Sequence, residues 1–359
     1  MLYTYQGAAI PENWVHEWLV EMLTELLDAA DAGNEPEEWK DCVPAAPPNL
    51  IRRRSVRDRR AALIAPLGAL TVAERTALRD AIVAQNNIPA VLNGMTACPL
   101  VTAFPEAVRD PLVEYFKAGF NLLGSLEIRQ NHYQAIFEVM PLPVCPFCGT
   151  EIMTIPPPLS EDEGAPNQDL DHYIPVSIYP LAGSNLHNLV PMGSTCNSRF
   201  KKAKDIIRKA DGTLRAAFDP FGPAASVISL SGSEFPPAVD DPEAVWQVTL
   251  DGGDRADTWD AVWDIKRRLR EDVISVRANR WLDRAVRVAD RRGARPRNRA
   301  QLVQWVEDSL EDATEERYDV NGAAQVAFFE FLLERLNADG PEQDFELFLL
   351  GLFDTALAA

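Results

Sequence analysis

The chain has 359 residues, 47% of them hydrophobic, a formal net charge of −19 and five cysteines. That size supports two or three compact units with sizeable cores, and charges interrupt each apolar run before it reaches bilayer-spanning length. So acidic a chain is excluded as a general nucleic-acid coat, because phosphate binding takes cations. An odd number of cysteines, two of them as Cys145-x-x-Cys148, suits metal or redox use better than a disulfide framework. The opening Met-Leu-Tyr-Thr-Tyr-Gln-Gly lacks the basic and apolar regions of a signal peptide, so the expectation is a cytoplasmic protein with no membrane partner.

Pro11 to Ala30 predicts a helix, with Trp14, Val15, Trp18, Leu19, Met22, Leu23, Leu26 and Leu27 on one stripe. Residues 1–50 carry ten acids against Lys40 alone. A connector with Pro44, Pro47 and Pro48 precedes the basic run Arg52 to Arg60. Thr71 and Glu74 form a capping-box pair that starts a helix running to about Ala84, and 106–125 predicts another. His132 to Met140 turns to β-favouring residues, and Pro141 and Pro143 lead into Cys145. Ile155 to Pro166 reads as an exposed proline-rich loop.

Beyond residue 205 the pieces 214–221, 225–230 and 245–250 read as short strands. Thr258 to about Arg292 then predicts one long helix, and two or three more, rich in Phe and Leu, follow it. Residues 266–299 hold thirteen Lys and Arg against four acids, whereas 300–359 hold fourteen acids against Arg317 and Arg335. Such asymmetry points to basic faces inside an acidic body, set against the plainer reading of a solvated helix. The eight tryptophans sit mainly at helical spacing and read as core.

The densest chemistry lies between Cys145 and Asp205. Leu170-Asp171-His172-Tyr173-Ile174-Pro175 predicts a short strand ending in a turn. A neutral imidazole at His172 can accept a proton from water near pH 7, and Asp171 offers a hard oxygen suited to Mg²⁺ or Mn²⁺. Asn188 opens Asn-Leu-Val-Pro, and Asn197 heads a segment bearing Arg199, Lys201, Lys202 and Lys204. Asn197 could complete a metal's coordination and the cations could hold phosphates; as a helix cap and a polar face the same residues would be bland. His16 and His132 read as structural, and Cys42 and Cys98 as ordinary buried thiols.

The order Cys-x-x-Cys, Asp-His-apolar-apolar-Pro, Asn-Leu-Val-Pro, Cys-Asn resembles the HNH (ββα-metal) endonucleases over about 145–205, with a weaker echo in Ala-Phe-Asp-Pro-Phe at 217–221. The elements in chain order give an α+β chain, with a helical region over 1–130, strands and connector over 216–255 and a helical region over 256–359, and the resemblance implies an HNH module over 131–215 between them. It implies His172 as general base, Asp171 and Asn197 as ligands of a catalytic Mg²⁺ or Mn²⁺, and Asn188 as the brace of the histidine's loop. Asp169 would add a further oxygen nearby. Arg199, Lys201, Lys202 and Lys204 would then meet the DNA substrate. HNH proteins of similar layout include phage-defence effectors, some acting beside an ATPase partner. A structural Zn²⁺ would take Cys145, Cys148 and Cys196, but the fourth position falls on Gly193, which leaves His187, Cys98 or Cys42 to complete it. Two other classes compete: a non-catalytic zinc-braced module that binds nucleic acid or protein, and a redox protein using Cys145 and Cys148, which lacks the βαβ context such chemistry expects.

Overall fold

The computed structural model describes residues 1–8, 10–45, 50–94, 96–156, 170–236, 244–338 and 343–355. Pro47, Pro48, Asp169 and most of the loop expected over 155–166 lie outside them. The architecture is α+β, mostly helical with two small two-stranded antiparallel sheets. No helix among the described residues is long and apolar enough to cross a membrane. The chain divides into two compact units, residues 4–141 with 154–224 and residues 1–3, 142–153 with 225–359.

The first unit is built on α1 (Trp14–Ala32), α2 (Arg54–Gly68), α3 (Val72–Asn86), α4 (Glu106–Ser125) and α5 (Ile128–Val139). α1 buries the stripe read from its period and stops at Gly33, whose φ of +69° places a left-handed residue where a side chain would be strained. At the start of α3 the Thr71 hydroxyl accepts from Glu74 N–H and the Glu74 carboxylate accepts from Thr71 N–H, as the capping box requires. The core of these helices continues into Leu181, Leu186 and Leu189. Strands β1 (Leu170–His172) and β2 (Leu189–Pro191) pair antiparallel, with His172 opposite Leu189, and are therefore seated on that core.

The stretch His132 to Met140 is not a strand but most of α5. Its aromatic and β-branched residues carry a strand propensity that packing overrides: His132 and Ile136, four apart, are fully buried on one helical face, with Tyr133 beside them.

In the second unit β3 (Ile228–Ser229) pairs with β4 (Thr249–Leu250), shorter than the strands expected over 225–230 and 245–250. In the first unit the piece 214–221 forms no strand, only a single bridge from Leu214 to Arg208. The long helix expected from Thr258 is interrupted. α6 (Asp254–Trp263) ends where Asp264 turns left-handed at φ +57°, a π-helical stretch covers Arg268–Ile274, and α7 (Ser275–Arg292) follows. The helices α8 (Arg299–Glu315), α9 (Gly322–Asn337) and α10 (Gln343–Thr355) complete the unit. Phe328, Phe329, Phe331 and Leu332 of α9 are buried, as are Trp259, Trp263, Trp281 and Trp305, in keeping with a core role for the aromatics.

Candidate functional site

β1 alternates, burying Asp171 while His172 is half-buried. Beyond the strand Tyr173 N–H donates to the Asn188 carbonyl at 2.9 Å, extending the ladder by one step. Asn188 is fully buried and its amide is saturated. Its oxygen accepts from Ile174 N–H at 2.7 Å, and its nitrogen donates to Ile174 O at 2.9 Å and Ala182 O at 3.1 Å. One side chain thus ties both ends of the loop that leaves His172.

That loop returns at Gly183, whose carbonyl lies 2.7 Å from His172 Nε2. A carbonyl only accepts, so Nε2 carries the proton and Nδ1 is the lone-pair nitrogen. Gly183 is required for the approach, because a Cβ there would meet Val176 Cγ2 at 2.5 Å and the Pro180 carbonyl at 3.0 Å. The Phe120 ring lies 4.3 Å from the imidazole, and the Arg129 guanidinium caps the Phe120 ring at 4.5 Å. Burial lowers the His172 pKa to about 4, the Gly183 bond opposing this and the Lys201 and Arg129 charges adding to it. The imidazole is therefore neutral at pH 7, and a weaker base than an exposed histidine.

Asp171 does not point at open space. Lys201 Nζ lies 2.7 Å from Asp171 Oδ2 and donates at 2.7 Å to the His172 carbonyl, with the lysine side chain 1% exposed. Lys201 is thus a correction to the expected set of phosphate-facing cations: it is buried inside the site as the counter-ion of Asp171. Arg199, Lys202 and Lys204 are exposed. Lys201 reaches Asp171 because Cys196–Lys201 is a π-helical turn closed by Lys202 N–H on the Asn197 carbonyl at 2.8 Å. Residues five apart stack in such a turn, so Cys196 and Lys201 both face inward. Asn197, the second residue of the turn, is half-buried, and its side-chain amide has no hydrogen-bond partner among the described residues.

The thiols are arranged differently. Val144 bridges Ile152, Cys145 N–H donates to Glu151 O at 2.8 Å, and Gly149, at φ +65°, returns its N–H to Cys145 O at 2.8 Å. This tight hairpin carries both cysteines of the Cys-x-x-Cys. Its Phe147 stacks on Trp263 at 4.8 Å and accepts from Trp259 Nε1 at 3.0 Å. Cys145 and Cys148 are both buried on this hairpin, and Cys196 is buried within the first unit. Two soft donors at Cys-x-x-Cys spacing on one hairpin suit a metal such as zinc.

Cys42, Cys98 and His187, the expected candidates for a fourth ligand, sit in three separate environments. Cys42 Sγ faces the Glu38 carbonyl at 3.3 Å. Cys98 is buried, its carbonyl accepting from Arg208 at 2.9 Å, and burial, the larger influence on its thiol, raises the pKa to about 12. His187 is exposed enough to keep contact with solvent, and burial lowers its pKa with Asp219 opposing.

The other histidines are structural. His16 Nδ1 lies 2.9 Å from Ser184 Oγ, and His132 Nε2 lies 2.9 Å from the Leu189 carbonyl, behind the strand that pairs with His172. Phe120, Arg129 and Gly183 were not legible as site residues: the first two sit on helices some 50 residues upstream, and nothing in their spacing links them to His172. No protein-family model, curated protein or solved structure matches the chain.

Proposed function

We propose that the chain is an HNH-type endonuclease that hydrolyses DNA phosphodiester bonds, with His172 as the general base. The observation that carries this reading is the doubly fixed imidazole: Gly183 holds Nε2–H while Asn188 ties the intervening loop. This leaves Nδ1 to take a proton from water as its oxygen attacks phosphorus and the P–O3′ bond breaks, the 3′ oxygen leaving with the bond pair and taking a proton from solvent. The order strand, strand, helical turn, with Asp171-His172 on the first and Asn197 on the last, supports the same reading.

The expected Mg²⁺ or Mn²⁺ does not fit this arrangement. Of its two ligands, Asp171 already holds the Lys201 ammonium at 2.7 Å, and a divalent ion on that oxygen requires Lys201 to withdraw. The positive charge beside Asp171 is instead supplied by the protein.

The test is plasmid cleavage by wild type and His172→Ala, each with and without Mg²⁺ or Mn²⁺. The expected outcome is nicking by wild type and a loss of about 10²–10⁴-fold in the variant, with melting and DNA binding unchanged. Equal cutting by both proteins would remove His172 as the base. A requirement for the ion would mean that Lys201 moves.

One observation favours a second reading, a zinc-braced module that binds without cutting: burial and the Lys201 pair make His172 a weak base and leave Asp171 neutralised. Wild type that binds DNA and carries stoichiometric zinc, lost in Cys148→Ser, yet cuts under neither condition, would establish it.

A further inference from the structure

Helix α7 has the most strongly segregated surface of the second unit. At 100° per residue, Arg277, Arg280, Arg284, Arg287 and Arg291 fall within an arc of about 80°, opposite the buried Ala278, Leu282, Ala285 and Ala289. All five are exposed. With a rise of about 1.5 Å per residue the row is about 21 Å long.

Just upstream in this unit arginines are neutralised by nearby acids of the same stretch: Arg267 pairs with Asp264 and Glu271, and Arg270 with Glu271. The row differs. Arg284 alone is spoken for, by two bonds to Glu316 at 2.8 and 3.2 Å. Arg277, Arg280, Arg287 and Arg291 make no ion pair among the described residues.

The acids that could mask them are turned aside. Asp290 holds Arg295 at 2.5 Å, Asp312 lies 3.8 Å from Arg292, and Asp283 falls outside the arc. A solvated helix face ordinarily interleaves paired opposite charges at i,i+4; here the one acid at that spacing, Asp283 four residues before Arg287, makes no ion pair among the described residues.

In a chain of net charge −19 most of the surface repels polyanions, so any strand held must meet a local concentration of cations. Guanidinium groups match phosphate oxygens in pairs, and a straight row at regular pitch matches a regularly charged polymer rather than a compact acidic protein. We infer that the α7 arginine row is a phosphate-binding surface that holds a nucleic-acid strand. The inference rests on the nuclease reading for the identity of the polyanion.

The test is fluorescence anisotropy of a short labelled DNA duplex against the full chain, titrated between about 50 and 200 mM salt. The variant Arg277→Gln/Arg280→Gln/Arg287→Gln/Arg291→Gln is expected to bind at least tenfold more weakly at the lower salt. Its plot of log affinity against log salt becomes shallower by about 3–4, at about 0.9 per phosphate lost. The matching Arg→Lys set keeps most of the slope, which separates charge from misfolding.

An unchanged slope in the Gln variant overturns the proposal and returns the row to a solvated face. Loss of binding to polyglutamate with DNA binding unchanged overturns it too, in favour of an acidic protein. His172→Ala in the same titration keeps the wild-type slope. A wild type that binds steeply but never cuts therefore sinks the nuclease reading and leaves the row standing.

Discussion

Residues 196–215 and helix α7 are both basic by count, and they place that charge in opposite environments. The first holds seven Lys and Arg against two Asp, yet Lys201 is 1% exposed and bonded to Asp171. The second turns its arginines outward, four of them without an acid partner among the described residues. The difference follows from local geometry. On a regular α-helix with a continuous apolar face, charge at i+3 and i+4 spacing has to face away from the core. On a π-helical turn the inward face takes residues five apart, and a lysine can be carried inside with Cys196. A cation count therefore says little about which cations meet a partner; the period of the backbone beneath them decides it.

The comparison is broken most easily from its buried side. Lys201→Met leaves the Asp171 carboxylate buried without a counter-charge, and the expected cost is about 3–5 kcal/mol by urea unfolding. The double variant Asp171→Asn/Lys201→Met should recover much of it; a single-variant loss within the noise of the measurement would mean that the pair is solvated after all.

Next in size is an acid limit. Burial lowers the pKa of His16 and His132 from 6.5 to about 4 each. Because the folded state then binds fewer protons than the unfolded chain, their contribution is intact above pH 6.5 and is lost as pH falls from 6.5 towards 4. At 1.36 kcal/mol per unit the loss is on the order of 3 kcal/mol for each. Denaturant midpoints at pH 7 and 4.5 should therefore converge for His132→Gln more than for wild type, and parallel shifts in the two proteins would contradict it.

On the exposed side the effects are small. Arg284→Gln removes a surface pair with Glu316 and should cost no more than about 1 kcal/mol. Arg280→Gln and Arg287→Gln should each stay within about 0.5 kcal/mol in the same melts. A large loss at either would place that arginine in the packing of the helix and undo the contrast.

Much of the scaffold was legible. The α1 stripe, the Thr71–Glu74 box and the helix over 106–125 follow from period and capping chemistry alone, since each is set by neighbours within one or two turns. The Cys145-x-x-Cys148 spacing was legible as well, but the tight hairpin that carries it was not. The strand expected over His132–Met140 failed because β-favouring residues are neutral evidence once a helical face has a core to meet, and His132 and Ile136 had one. The break at Asp264 coincides with a lapse in the apolar stripe between Trp263 and Leu269, where Lys266 and Arg267 take the expected positions.

What the sequence by itself determined is the inventory and its local order: three soft donors, an Asp-His pair, two asparagines, and cations in two clusters, each readable because side-chain type and spacing are properties of the chain. Tertiary structure alone decided their employment. It fixed the His172 tautomer through a carbonyl eleven residues away. It also carried Lys201 onto Asp171 by one π turn, where an α-helical period would have put Phe200 on the face of Cys196. These outcomes depend on which distant groups share a buried space, where an unpaired polar atom is costly, and that partnership is not written in any local stretch of chain.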